Sequence, residues 1–245
     1  DFADGFARSL ELLDELLLLE IYPARELPIP GVDSRMLFER INMNSKTLCS
    51  KKELTSYVSA SKCNVVLTCL PKPEHVLEAV DGDEGLLKNA LPGTVWIDTS
   101  TTNFKQTQKL ASKAETHGVL MLEATLTGGV HALQNNNMVC LAGGDKETFK
   151  IWKEVLQDAI GEVVVLCGDI GAGAIAKVVS NMLAFTNMVA ASECMMIAKR
   201  AGLDLENFFD AIRVSAGNSF AWETVVPHIF NQKYEAGFTM DLACK

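Results

Sequence analysis

The sequence has no CxxC pair, no cluster of cysteine with histidine, no basic excess and no basic-then-apolar leader at its start. Each absence removes a class. The seven cysteines (Cys49, Cys63, Cys69, Cys140, Cys167, Cys194, Cys244) and the four scattered histidines (His75, His117, His131, His228) show no metal-ligand spacing. Cysteines in odd number and without pattern read as reduced, mostly buried thiols of a cytoplasmic protein. A formal charge of −9 gives no electrostatic ground for nucleic acid or an anionic membrane surface. Small anionic substrates stay open, because local groups decide such sites. The acidic, amphipathic start does not read as a signal peptide, and there is neither internal repeat nor low-complexity tract.

What is present is an ordinary globular balance. The 245 residues are 48% hydrophobic and 22% charged, enough for one or two domains with a real core. The stretch Val178 to Ala198 is long and apolar, but it carries Ser180, Asn181, Thr186, Asn187, Ser192 and Glu193. So many polar groups are costly in hydrocarbon, so a buried helix of a soluble protein is the expectation.

Along the first two-thirds, short apolar runs alternate with amphipathic helices, the pattern of a parallel sheet. Leu16–Tyr22 predicts a strand after a helix over Asp1–Asp14. Ser34–Ile41 and Lys51–Ala60 predict helices around a short strand near Lys46–Cys49. Asn64–Leu70 predicts a buried strand that stops at Pro71. Further strands fall at Val95–Thr99, Val119–Leu126, Met138–Ala142 and Val163–Cys167. Helices fall at Phe104–His117, closed by Gly118, and at Lys146–Ile160. After Gly168 one long helix runs from about Ala174 to Ala201 and ends at Gly202. Asp204 stands at an N-cap position before a helix over Leu205–Val214. The expected fold is α/β, with a Rossmann-like, mostly parallel sheet over residues 1–167. An all-helical domain follows over residues 168–245. It reads as cut short, since one long helix leaves apolar surface for a partner chain or further residues to cover. That surface favours association, a homo-oligomer included.

Two segments carry chemistry. In Glu123-Ala-Thr-Leu-Thr-Gly-Gly129 a strand ends in a hydroxyl and two glycines. Open backbone N–H groups beside Thr127 can hold a carboxylate, although Gly-Gly is also a common plain turn. In Gly171-Ala-Gly-Ala-Ile-Ala-Lys177-Val-Val-Ser-Asn181 glycines stand at a helix entrance, where free N–H groups point toward an anion. Lys177 and Asn181 are four apart and share one helix face. A lysine on an apolar face either snorkels to water or, desolvated, has a lowered pKa and works as a general acid/base.

Together these segments resemble the β-hydroxyacid dehydrogenase family, which includes 3-hydroxyisobutyrate dehydrogenase and relatives of 6-phosphogluconate dehydrogenase. The resemblance runs over about residues 63–245. It rests on Leu70-Pro71, Gly85-Leu-Leu, Pro92-Gly93, Ile97-Asp-Thr-Ser-Thr101, Thr127-Gly-Gly129, Ala142-Gly-Gly144 and Lys177 with Asn181. It implies hydride transfer between NAD or NADP and a small 3-hydroxy carboxylate, with no nucleic acid or membrane involved. It implies that Lys177 exchanges the proton of the substrate hydroxyl and that Asn181 holds that hydroxyl. Thr127, Gly128 and Gly129 would bind the carboxylate, and Leu70, Pro71 and Thr101 would line the cofactor cleft. Lys245 matches the lysine of a late Lys-Asp motif, and Phe238 and Asp241 fall in the same late segment. The family usually has serine at the position of Thr127, and Asp-Ala-Pro where this chain has Glu123-Ala-Thr125.

The head departs from that pattern. The family's G-x-G-x-x-G run, which sets a pyrophosphate at a helix N-terminus, is missing after the first strand. In its place stands Pro23-Ala-Arg-Glu-Leu-Pro-Ile-Pro-Gly31, and proline has no N–H to offer. Over residues 1–68 the runs Asp1-Phe-Ala-Asp-Gly-Phe-Ala-Arg-Ser, Glu20-Ile-Tyr-Pro-Ala-Arg-Glu and Lys46-Thr-Leu-Cys49 are similar to the C-terminal domain of UDP-N-acetylmuramate–alanine ligases. The ligase's P-loop is absent, which argues against ligase activity. The resulting expectation is a chimera joined near Asn64-Val-Val-Leu-Thr68. As an alternative to a dehydrogenase, it is a non-catalytic α/β scaffold with a ligase fragment at its head.

Overall fold

The protein is described by a computed structural model covering residues 7, 10–11, 15–19, 33–50, 53, 64–70, 72–128, 132, 137–161 and 163–231. The chain forms two compact units, one of Asp1–Ser100 with Lys109–Met121 and one of Thr101–Gln108 with Leu122–Lys245.

In the first unit, β1 (Leu16–Leu19) pairs in parallel with β2 (Lys46–Cys49), with helix α1 (Ser34–Arg40) between them in sequence. Asp33 caps α1 by accepting from the Met36 N–H at 2.7 Å. Ala7, Leu16 and Ile41 form a small core below this β-α-β unit. The expected helices over Asp1–Asp14 and Lys51–Ala60 lie mostly outside the described residues.

A second parallel pair joins β3 (Val65–Thr68) to β4 (Val95–Asp98). Between them stand α2 (Pro73–Asp81) and α3 (Leu86–Asn89), two helices that apolar periodicity had not marked. Pro73 opens α2, where a missing N–H costs nothing. All four residues of β4 are buried. β3 is not the buried strand expected, since Leu67 is 52% exposed. Helix α4 (Phe104–Thr116) starts in the second unit and ends in the first, where Leu110 and Ala114 are buried. Gly118, at φ +70°, turns the chain into β5 (Leu120–Thr127) as the sequence predicts.

In the second unit β5 pairs antiparallel with β6 (Val139–Gly144), which pairs in parallel with β7 (Val163–Leu166). Between β6 and β7 runs α5 (Lys146–Ile160), capped by Asp145, which accepts from the Thr148 N–H at 2.8 Å.

Three helices complete the unit: α6 (Ala172–Arg200), α7 (Leu205–Arg213) and α8 (Phe220–Phe230). Asp204 caps α7, accepting from the Asn207 N–H at 2.9 Å, as its position predicts. Ser219 caps α8 by accepting from the Trp222 N–H. Trp222 is buried with Ala191, Met195 and Val226 and contacts the rings of Phe208 and Phe209 at 5.8 and 6.0 Å. Aromatic area of this kind contributes to cohesion among the three helices.

Two expectations are corrected here. The long helix is not buried: Val178, Val179, Met182, Leu183, Val189, Met196 and Ile197 are all exposed. By length and composition alone α6 is apolar enough to cross a membrane. Nor are the described thiols mostly buried, since Cys69, Cys167 and Cys194 are exposed while Cys49 and Cys140 are buried.

Candidate active site

The carboxyl ends of β3 and β4 are tied by a network around one buried acid. Thr68 Oγ1 donates to Asp98 Oδ1 at 2.8 Å and accepts from Trp96 Nε1 at 2.9 Å. Thr99 Oγ1 donates to the Thr68 carbonyl, and the Ser100 N–H donates to the same Asp98 oxygen. Burial pushes the Asp98 carboxyl above its ordinary value, against the lowering effect of the bonds from Ser100 and Thr68. The Ser100 hydroxyl in turn accepts from the Leu70 N–H at 2.9 Å. Leu70 is therefore held at the strand exit, where open α/β sheets bind ligands. Thr101 follows in the chain and is exposed.

In the second unit, pleating puts Glu123, Thr125 and Thr127 on one face of β5. The first two meet the start of α6. Glu123 Oε2 accepts from the N–H groups of Gly171 at 2.6 Å and Gly173 at 3.3 Å, and Oε1 accepts from Ala174 at 3.3 Å. Thr125 Oγ1 shares its one proton between the carbonyls of Leu141 and Gly173, at 2.9 and 3.2 Å. The glycine entrance of α6 thus faces an anion, as its composition predicts, but the anion is the chain's own carboxylate.

Thr127 ends β5, half-buried, and Gly128 follows at φ +123°. A Cβ there would lie 2.5 Å from Ala132 Cβ, so this turn requires glycine on two counts. Lys177 and Asn181 lie on α6, one and two turns beyond Gly173, and both are half-buried. Burial alone lowers the Lys177 pKa, and among the described residues no carboxylate pairs with its ammonium.

The structure therefore gathers Thr127, Gly128, Lys177 and Asn181 in one unit, through β5 and α6. Leu70 stands in the other unit. Gly129, Pro71, Phe238, Asp241 and Lys245 lie outside the described residues. Sequence reasoning met Glu123 only as a departure from a familiar pattern and Asp98 only as part of a motif. Period-two alternation from Thr127 back along β5 was the available signal for the former.

Residues 38–168 match the family model described as the NAD binding domain of 6-phosphogluconate dehydrogenase, more than half of the chain. Residues 171–245 match the NAD-binding model of NADP-dependent 3-hydroxyisobutyrate dehydrogenase. The chain belongs to the 3-hydroxyisobutyrate dehydrogenase-like family. The mouse mitochondrial 3-hydroxyisobutyrate dehydrogenase is 31% identical over 193 residues, covering 76% of this chain and 57% of that protein. A probable 3-hydroxyisobutyrate dehydrogenase of Mycobacterium bovis is 32% identical over 169 residues, covering 69% and 56%. The chain thus spans less than two thirds of the length of these curated relatives. Among solved structures, the Mycobacterium tuberculosis 3-hydroxyisobutyrate dehydrogenase with L-serine aligns at a TM-score of 0.76 and 26% identity. That alignment covers 98% of this chain and 78% of the other.

The ligase resemblance of the head finds no support. The family match begins at residue 38 and runs without a break across the supposed join at Asn64–Thr68. The runs over residues 1–9 and 20–26 lie almost wholly outside the described residues. The third, Lys46–Cys49, is the second strand of a parallel β-α-β unit, a short run that any such unit needs whatever its family. The family match leaves out residues 1–37, where the glycine-rich run is missing.

Proposed function

We propose that this chain takes part in the NAD(P)-dependent oxidation of a small 3-hydroxy carboxylate, with Lys177 as the acid/base. The observation that carries this reading is the shared face of β5. Two of its residues, Glu123 and Thr125, are bonded to the first turn of α6, the helix that bears Lys177 and Asn181. Thr127 continues that face, so the carboxylate-binding turn and the lysine belong to one construction.

The Lys177 amine, neutral more often than a surface lysine because it is desolvated, accepts the proton of the substrate hydroxyl. The Asn181 amide orients that hydroxyl, and Thr127, Gly128 and Gly129 hold the carboxylate through a hydroxyl and backbone N–H groups. Bound NAD or NADP supplies the hydride acceptor. The residues that would line its cleft are Leu70, Pro71 and Thr101, with Lys245 as a further cofactor-binding residue, and the Ser100 tie on Leu70 fits that task. The pyrophosphate half has no such fit in the sequence, because Pro23, Pro28 and Pro30 stand where N–H donors are needed. The exposed apolar residues of α6 support association with a second chain, and the polar Asn181, Asn187, Ser192 and Glu193 along it favour protein over lipid as the cover.

The test is reduction of NAD+ or NADP+ by the purified protein with 3-hydroxyisobutyrate and L-serine. Turnover that disappears in Lys177→Ala, with cofactor binding kept, supports the reading. No reduced cofactor from either dinucleotide, and no quenching or enhancement of NADH or NADPH fluorescence, sinks it in favour of a non-catalytic α/β scaffold.

A further inference from the structure

Glu123 is 2% exposed, yet it is a carboxylate in the middle of a strand. Burying such a group is costly unless it is fully bonded. Among the described residues its bonding converges on the start of α6. Both oxygens accept from the N–H groups of Gly171, Gly173 and Ala174, donors that a helix start leaves without intrahelical partners. The surroundings are cut to admit it. A Cβ on Gly143 would stand 2.1 Å from Glu123 Oε2, and a Cβ on Gly173 would stand 2.8 Å from the Leu141 carbonyl. Thr125 adds a bond to the Gly173 carbonyl, which in α-helical geometry also accepts from the Lys177 N–H. The entrance of α6 is therefore clamped to β5 on donors and acceptor alike, one turn before Lys177.

We propose that Glu123 is the positioning residue that fixes the entrance of α6 and, through it, the placement of the Lys177 amine. This rests on the reading of Lys177 as the acid/base. A charged acceptor suits the task better than a neutral one, because the carboxylate also meets the positive end of the helix dipole. Gln in its place keeps the length but loses the charge, and turns one acceptor oxygen into an NH2 that faces backbone N–H groups. Asp keeps the charge but falls one methylene short.

Two measurements on Glu123→Gln and Glu123→Asp test the proposal. In steady-state assays kcat of Glu123→Gln falls about tenfold while KM for the cofactor stays within about twofold, as expected for a misplaced acid/base. Glu123→Asp recovers part of that loss. The second measurement needs no turnover: trace acylation of the intact protein, read as the ratio of label on Lys177 to label on Lys199 at the far, exposed end of the same helix. That ratio shifts by about threefold or more in Glu123→Gln, because the surroundings of Lys177 change and those of Lys199 do not. An unchanged ratio in folded protein overturns the proposal. So does a kcat within about twofold of wild type, or a cofactor KM that rises as far as kcat falls. If the wild type turns nothing over but the ratio shifts, the role of Glu123 stands and the hydride-transfer reading falls. Should Glu123→Gln not fold, the labelling ratio in Glu123→Asp decides alone.

Discussion

The Cα of Gly143 faces the Glu123 carboxylate so closely that a methyl group placed there would come within 2.1 Å of Oε2. The same methyl would lie 2.8 Å from the Gly173 nitrogen and 3.0 Å from the Asp169 carbonyl, and neither backbone atom can swing away. Gly143→Ala should therefore destabilise by about 2–3 kcal/mol, an overpacking cost. Thermal unfolding should show Tm lower by roughly 5–10 °C. A change of less than about 2 °C would mean that the carboxylate has room to move.

Asp98 sets a pH dependence of stability. Burial raises its folded pKa above the ordinary 3.8, so its contribution is full below that value and is lost as pH rises through the raised folded value. Asp98→Asn removes the titration and keeps Oδ1, the oxygen that accepts from both Thr68 and Ser100. Urea unfolding from about pH 4 to pH 7 should show the variant gaining on the wild type as the pH rises. A constant difference across that range would contradict a raised carboxyl.

Lys177 works in the opposite sense. Its folded pKa lies below the ordinary 10.5, so the ammonium is disfavoured in the folded protein and stability rises with pH toward 10.5. In the oxidation direction the neutral amine is the active form. kcat/KM should then rise with pH along a limb that ends below 10.5. Lys177→Ala should lower kcat by roughly 10²–10⁴ and abolish that limb. A limb that survives in the variant belongs to another group.

Gly128 bears on the carboxylate site. At φ +123°, with a Cβ 2.5 Å from Ala132, alanine forces the turn after Thr127 to reshape. If Thr127, Gly128 and Gly129 hold the substrate carboxylate, Gly128→Ala should raise KM for the 3-hydroxy acid about tenfold or more, matching 1–3 kcal/mol of local strain. The dissociation constant for NADH or NADPH should stay put. Parallel loss of cofactor binding would move this turn to the dinucleotide site.

Much of the fold was legible because local signals act over a few residues. Asp204 and Gly118 mark a helix start and a helix stop wherever they stand, since capping and positive φ are satisfied within one turn. The strands at Val95 and Val163 announced themselves by apolar β-branched runs. Lys177 and Asn181 share a face by helical arithmetic alone. Short helices such as α2 and α3 escaped, being too brief for a period to show.

What the sequence by itself determined is the order of the longer elements, the family and the chemical types gathered at the strand and helix ends. Only the tertiary structure decided where those types act. Glu123 and Gly171 are 48 residues apart, and no local pattern links a strand carboxylate to the N–H groups of a distant helix. Likewise, the apolar character of α6 fixed its helicity but not its burial, because burial depends on which other surfaces the fold brings against it.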